Sequence, residues 1–325
     1  MAAFSHLRRH LLAAGLGTAA LPAARAQAWP SRPIRLVLPY PPGGALEPIA
    51  RLLAQDLTKK LGQPMVVELR PGANGGIGAA SVAKSPPDGY TLLIVGAPVV
   101  VLNKHLYRNP GYDPETDLTP ITAIGSSPMM IVASAKFPAK NLEELVAYAK
   151  ANPGKVTAAY SGQGSLSQLS YLLLERTAGI RLNKIPYNVT QGINDVLSGE
   201  VDLTSNVPTS FLPHIATGRL QGIGVLGERR HEQLPNVPTA LESKLPGMVV
   251  EGWYSIYGPK DMPAEIVQRL NAGIVDFLRT EEARSHFAKF GVVPTPSTPE
   301  ELRRRVSQES ARWAQVIRDN NVSAE

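Results

Sequence analysis

The chain has 325 residues, 43% of them apolar, and a net charge of +6. That apolar share excludes disorder, and the length exceeds the ~250–300 residues one hydrophobic core fills, so two lobes are expected. The absence of cysteine excludes disulfides, thiolate nucleophiles and thiolate metal sites, and an aromatic content of 6% argues against a surface that stacks nucleic-acid bases.

Arg8 and Arg9 precede an apolar run from Leu11 to Leu21 and a small-residue site, Ala24-Arg25-Ala26. This is the pattern of a secretory signal over 1–26, cleaved after about Ala26, and the run is too short to span a bilayer. Arg8-Arg9-His10-Leu11-Leu12 leaves export open between the general and twin-arginine routes. Removing the segment takes away three arginines and no acids, so the charge falls to +3, a weak lean toward anionic ligands.

Short apolar runs then alternate with helical patterns, which predicts βα units and largely parallel sheets. Strands are expected at 34–38, 65–69 and 91–95, with helices at 47–61 and 76–84 between them. Strands at 118–125 and 129–133 flank a crossover, and Asn141 with Glu144 promises a capping box on the next helix. Strands at 157–160, 184–187, 201–206 and 220–226 alternate with helices at 165–178, 193–198 and around 211–217. The stretch 229–247 is proline-rich and lacks periodicity. A strand at 249–257 and three helices close the chain, the last announced by Thr298-Pro299-Glu300-Glu301. No internal repeat is evident. Crossings near 124–130 and 249–257 would divide the chain into lobe 1 (27–125 plus 250–325) and lobe 2 (126–249).

Two strand-to-helix turns carry the chemistry. In Pro39-Tyr40-Pro41-Pro42-Gly43-Gly44-Ala45-Leu46-Glu47, glycines let the backbone approach a ligand, and the following helix start attracts anions. The same residues also suit a tight turn with no ligand. Tyr160-Ser161-Gly162-Gln163-Gly164-Ser165 repeats this logic in the other lobe, where Ser165 could equally be only a helix cap. Gly96-Ala97-Pro98 and Asn206 lie at comparable strand ends, and ligands of open α/β sheets bind beyond such ends.

Six stretches together make the chain recognisable: Trp29-Pro30-Ser31-Arg32-Pro33-Ile34, Pro39-Tyr40-Pro41-Pro42-Gly43-Gly44, Arg70-Pro71-Gly72-Ala73, Ser85-Pro86-Pro87-Asp88-Gly89-Tyr90-Thr91-Leu92-Leu93, Ala151-Asn152-Pro153-Gly154-Lys155 and Leu234-Pro235-Asn236-Val237-Pro238-Thr239. Along essentially its whole mature length the chain resembles the Bug-type solute receptors of tripartite tricarboxylate transporters. The resemblance implies a type II, Venus-flytrap periplasmic binding fold that holds a small organic acid between its lobes, partly through ordered water. It places Tyr40, Pro41, Gly43, Gly44 and Ala45 on one side of the ligand, and Ser161, Gly164 and Ser165 on the other. Gly96, Ala97 and Asn206 would line the cleft.

Three departures bear on the site. Glu47 stands where the family usually has aspartate, either to meet an ammonium or hydroxyl on the ligand or simply as an acid in a helix's first turn. Gln168 replaces a frequent histidine. The loop that begins at Tyr187 is about one residue shorter than usual and lacks its lysine-glycine start. All three residues count among the candidate ligand contacts.

Enzyme signatures fail on inspection. His231-Glu232-Gln233-Leu234-Pro235 lacks the second histidine of a zinc-protease helix and contains a proline. Gly76-Ile77-Gly78-Ala79-Ala80-Ser81 lacks the third glycine of a dinucleotide fingerprint and the later acid. Ser165 is not in a nucleophile elbow. Arg303-Arg304-Arg305 reads as a solvated helix face. The expectation is an exported, monomeric receptor with no cofactor and no nucleic-acid partner, serving transporter membrane subunits. The rival readings are an exported α/β enzyme acting on a carboxylate and a receptor feeding a signalling system.

Overall fold

The computed structural model describes residues 29–324, so the expected signal lies outside the described residues. The chain runs β1 (Ile34–Leu38), α1 (Leu46–Leu61), β2 (Met65–Leu69), α2 (Gly76–Ala83), β3 (Thr91–Gly96), α3 (Asn103–Leu106), β4 (Leu118–Pro128) and β5 (Met130–Ser134). It continues through α4 (Leu142–Ala151), β6 (Thr157–Tyr160), α5 (Leu166–Ala178), β7 (Asn183–Pro186), α6 (Val189–Ser198), β8 (Leu203–Asn206), α7 (Leu212–Ala216) and β9 (Leu220–Val225). β10 (Glu251–Pro259), α8 (Ala264–Leu278), α9 (Glu281–Ala288) and α10 (Pro299–Asp319) complete it.

The strands form two five-stranded sheets, ordered β2-β1-β3-β10-β4 and β7-β6-β8-β5-β9. In each, four strands run one way and one, β10 or β5, runs against them. The strand plan is the same in both sheets, and the reversed strand is each time the first one the chain enters after changing sheets. β3 is buried along its entire length, as expected of a strand covered by helices on both faces. α1 turns Ile49, Leu53, Leu57 and Leu61 inward at helical spacing.

The sheets are joined where β4 passes into β5 through Met129 alone, and where the chain returns from β9 to β10. These two crossings lie side by side. Met129 N–H donates to Val250 O, Val250 N–H to Leu226 O, and Leu226 N–H to Met129 O. α10 braces this junction. Arg312 donates to Gly247 O and Val249 O, and Glu309 accepts from Trp253 Nε1 at 2.9 and 3.0 Å. Arg305 pairs with Glu251 and Glu309 and stacks 4.7 Å from the centroid of the Trp253 ring. Arg305 is therefore a packed residue and not part of a solvated face, because the carboxylates of β10 and α10 draw it inward.

Other expectations are adjusted. α6 begins at Val189 rather than 193, because the Asn188 side chain caps it by accepting Gln191 N–H. Residues 98–106, for which no element was expected, form a wide helical turn and α3. On α4, Asn141 accepts Glu144 N–H as expected. The Glu144 carboxylate, however, takes Lys140 N–H and Asn141 Nδ2 instead of closing the box on Asn141 N–H. The box at Thr298 and Glu301 is complete.

Candidate functional site: the cleft between the sheets

A cleft of about 1280 Å³ opens between the lobes. The β1–α1 turn and the end of β3 form one wall. The β6–α5 turn and the end of β8 form the other, and β10 forms the floor at Gly252, Trp253 and Tyr254.

On the first wall, Tyr40 Oη accepts Gly96 N–H at 3.0 Å, which ties the β1–α1 turn to β3. Burial pushes the Tyr40 phenol far above its usual pKa, so it stays neutral. Gly43 holds φ at +93°, a left-handed conformation that lets the chain double back. Its N–H donates to Glu47 Oε2 at 3.0 Å, while Arg51 holds Glu47 Oε1 at 2.6 and 3.0 Å. The Gly43 amide first, and Arg51 second, hold the Glu47 carboxyl below the usual range. Pro41 and Pro42 have no N–H. The N–H groups of Gly44 and Ala45 have no hydrogen-bond partner among the described residues. Two amides at the start of a 16-residue helix thus remain open on this wall.

The second wall differs. Ser161 N–H donates to Ser167 Oγ, Gly162 N–H to Tyr160 O, Gly164 N–H to Gln168 Oε1 and Ser165 N–H to Gly162 O. Those four amides are committed inside the turn, while the Ser161 and Ser165 side chains and Gln163 lie in the cleft lining. At the start of α5 the N–H groups of Leu166 and Ser167, both in the cleft lining, have no hydrogen-bond partner among the described residues, so this wall combines hydroxyls with helix-start amides.

Of the residues singled out in the sequence, Tyr40, Pro41, Gly43, Gly44, Ala45, Glu47, Gly96, Ala97, Ser161, Gly164, Ser165 and Asn206 all line the cleft. Two are placed elsewhere. Gln168 is 7% exposed and sits behind the turn, holding Gly164 N–H and donating to Gln163 Oε1. An amide carries a donor and an acceptor, so it satisfies the turn from within. Tyr187 lines a small adjoining hollow with Ser161 and Asn206. Sequence reasoning missed Asn74, Tyr107, Ser167 and Tyr254, which also line the cleft. Only Ser167 left a readable trace, as the second serine two residues past the Ser165 cap.

Among the described residues, Glu47 is the one acid in the lining, Arg51 balances it, and lysine, arginine and histidine are absent from that lining. Apart from the Glu47 carboxylate and its Arg51 partner, a ligand charge there meets neutral dipoles. Among the described residues no cluster of histidine, aspartate or glutamate is arranged to hold a metal, and no helix is long and apolar enough to cross a membrane.

Two α/β lobes of one strand plan, joined by paired crossings and facing each other over a neutral polar cleft, define a solute-binding protein of the periplasmic type. Residues 49–322 match the tripartite tricarboxylate transporter family receptor, and the chain belongs to that family. It is 35% identical over 300 residues to protein BugT of Bordetella pertussis, covering 91% of this chain and 92% of BugT. The structure of R. palustris Rpa4515 with adipate superposes with a TM-score of 0.76 at 31% identity, over 91% of this chain and 99% of that one. The periplasmic binding protein BugD gives a TM-score of 0.72 at 33% identity, over 91% and 99% of the two chains.

Proposed function

We propose that this receptor is exported, captures a small organic acid in the cleft and delivers it to the membrane subunits of a tripartite tricarboxylate transporter. The observation that carries this reading is the pair of open amides at Gly44 and Ala45, at the start of α1 and across the cleft from the Ser161 and Ser165 hydroxyls. A helix start with unpaired N–H groups favours an anion without any cationic side chain. The Rpa4515 structure, which contains a dicarboxylate, supports the same ligand class.

In this reading Tyr40, Pro41, Gly43, Gly44, Ala45, Gly96 and Ala97 form the capturing wall, and Ser161, Gly164, Ser165 and Asn206 close over the ligand. The lobes part at Met129 and between β9 and β10, a hinge motion in which two adjacent strands absorb the rotation. Binding needs no metal, and the protein works as a monomer after loss of residues 1–26.

A thermal-shift screen of mono-, di- and tricarboxylates against neutral analogues tests the proposal. A carboxylate at a hundred times its Kd should stabilise the protein by about 2.7 kcal/mol, and the neutral analogue should not. Equal responses to acids and their esters would end the carboxylate reading. NMR of each hit after overnight incubation should show the ligand unchanged; turnover would replace a receptor with an enzyme.

A further inference from the structure

Three serine hydroxyls meet on the second wall. Ser167 Oγ lies 2.9 Å from Ser161 Oγ and 3.0 Å from Ser165 Oγ, and it accepts Ser161 N–H at 2.9 Å. Ser165 Oγ also accepts Gln168 N–H as the cap of α5. Ser167 is 2% exposed, while Ser161 and Ser165 are half-buried at the cleft surface.

A hydroxyl has one proton and two lone pairs. One lone pair of Ser167 is taken by the Ser161 amide, leaving it one further acceptance and one donation. It must therefore accept from one of its serine neighbours and donate to the other. If Ser161 donates to Ser167, then Ser167 donates to Ser165, and only the Ser165 proton is free for the cleft. If Ser165 donates, only the Ser161 proton is free. In both arrangements the trio presents a single O–H donor beside a hydroxyl that shows the ligand a lone pair.

We propose that this trio reads a group that both donates and accepts a hydrogen bond, a hydroxyl or a carboxamide, on the part of the ligand remote from the captured carboxylate. A second carboxylate, with acceptors only, would gain one bond and meet an opposing lone pair. Asn206 Nδ2 can donate to either kind of group, because only its Oδ1 is occupied, by Val207 N–H; the discrimination falls on the serines. Ser167, absent from the expected contacts, is the specificity-determining residue because it sets how many protons its neighbours retain. The inference rests on the carboxylate reading above and narrows it to hydroxy acids and acid amides.

The test is calorimetric titration of the mature protein with matched series: succinate against succinamate, and adipate against adipamate and 6-hydroxyhexanoate. At least one amide or hydroxy acid should bind about fivefold or more tighter than the diacid of its length. Replacing Ser167 by alanine leaves both Ser161 and Ser165 with free protons, so S167A should narrow or invert that ratio. S161A leaves one free proton, as in the native trio, and should weaken all ligands while keeping their order; a merely structural role for the trio would move both variants alike. Diacids binding as tightly as their partners would overturn the inference and leave the carboxylate reading standing, and so would an S167A ratio equal to the native one. Binding of none of the series would overturn both.

Discussion

Glu47 shows how one carboxylate organises a turn. Its bond to Gly43 N–H and its clasp by Arg51 favour the ionised form, so its pKa in the folded protein lies below the unfolded value. The sign follows: the stabilisation is complete above the ordinary carboxylate pKa of about 4.3 and is lost as pH falls through the lowered folded value. Ligand affinity should weaken over that acid range as the Gly43 turn loosens. Glu47→Gln should flatten this acid limb while lowering affinity at neutral pH by a few-fold, as read by titration at a series of pH values. At this scale the sequence was informative about where the turns are and less so about who faces whom. Glycines and prolines announce a turn because they act on the backbone locally. Gln168, expected at the ligand, lies behind the turn, because its partners Gly164 and Gln163 lie on that same turn. Ser167 was overlooked because its importance comes from neighbours that meet only in three dimensions.

Among the elements, α10 bears most on the cleft. Trp253 is fully buried, and its indole N–H depends on Glu309. Glu309→Ala would leave that donor unpaired beneath the cleft floor, costing about 1–3 kcal/mol. The melting temperature should fall by several degrees, and the loss should be largely restored in Glu309→Gln, whose carbonyl can still accept. The strands were legible because each is a short apolar run bounded by turn residues, and α1 because its leucines recur at helical spacing. The early start of α6 was hidden because Asn188, a helix cap, reads equally as a loop residue. Arg305 was misread because two of its partners, Glu251 and Trp253, are over fifty residues away in sequence. Side chains paired over that separation leave no local pattern.

For the whole molecule, the decisive contacts are those between lobes. Gly291 holds φ at +67°, and a Cβ there would lie 2.4 Å from Thr209 Cγ2. Gly164 is packed in the same way, its missing Cβ 2.6 Å from Leu106 Cδ1. Gly291→Ala should strain its own backbone and hold the lobes apart. The expected result is a larger radius of gyration by X-ray scattering and a weaker ligand affinity; an unchanged radius with unchanged affinity would show that this contact does not govern closure. The two-lobed plan could be anticipated from length and βα alternation, but the shared strand order could not, since sheet order is set by long-range pairing.

The position of β10 has a temporal consequence. It lies between β3 and β4, yet it is made from residues 251–259. Until that segment arrives, β3 and β4 each present a raw edge with unpaired backbone groups, the kind of surface that invites aggregation. A chain synthesised N-terminus first could not complete its opening sheet until most of its length had been made. The architecture itself leaves the opening sheet unfinished until residues 251–259 are in place.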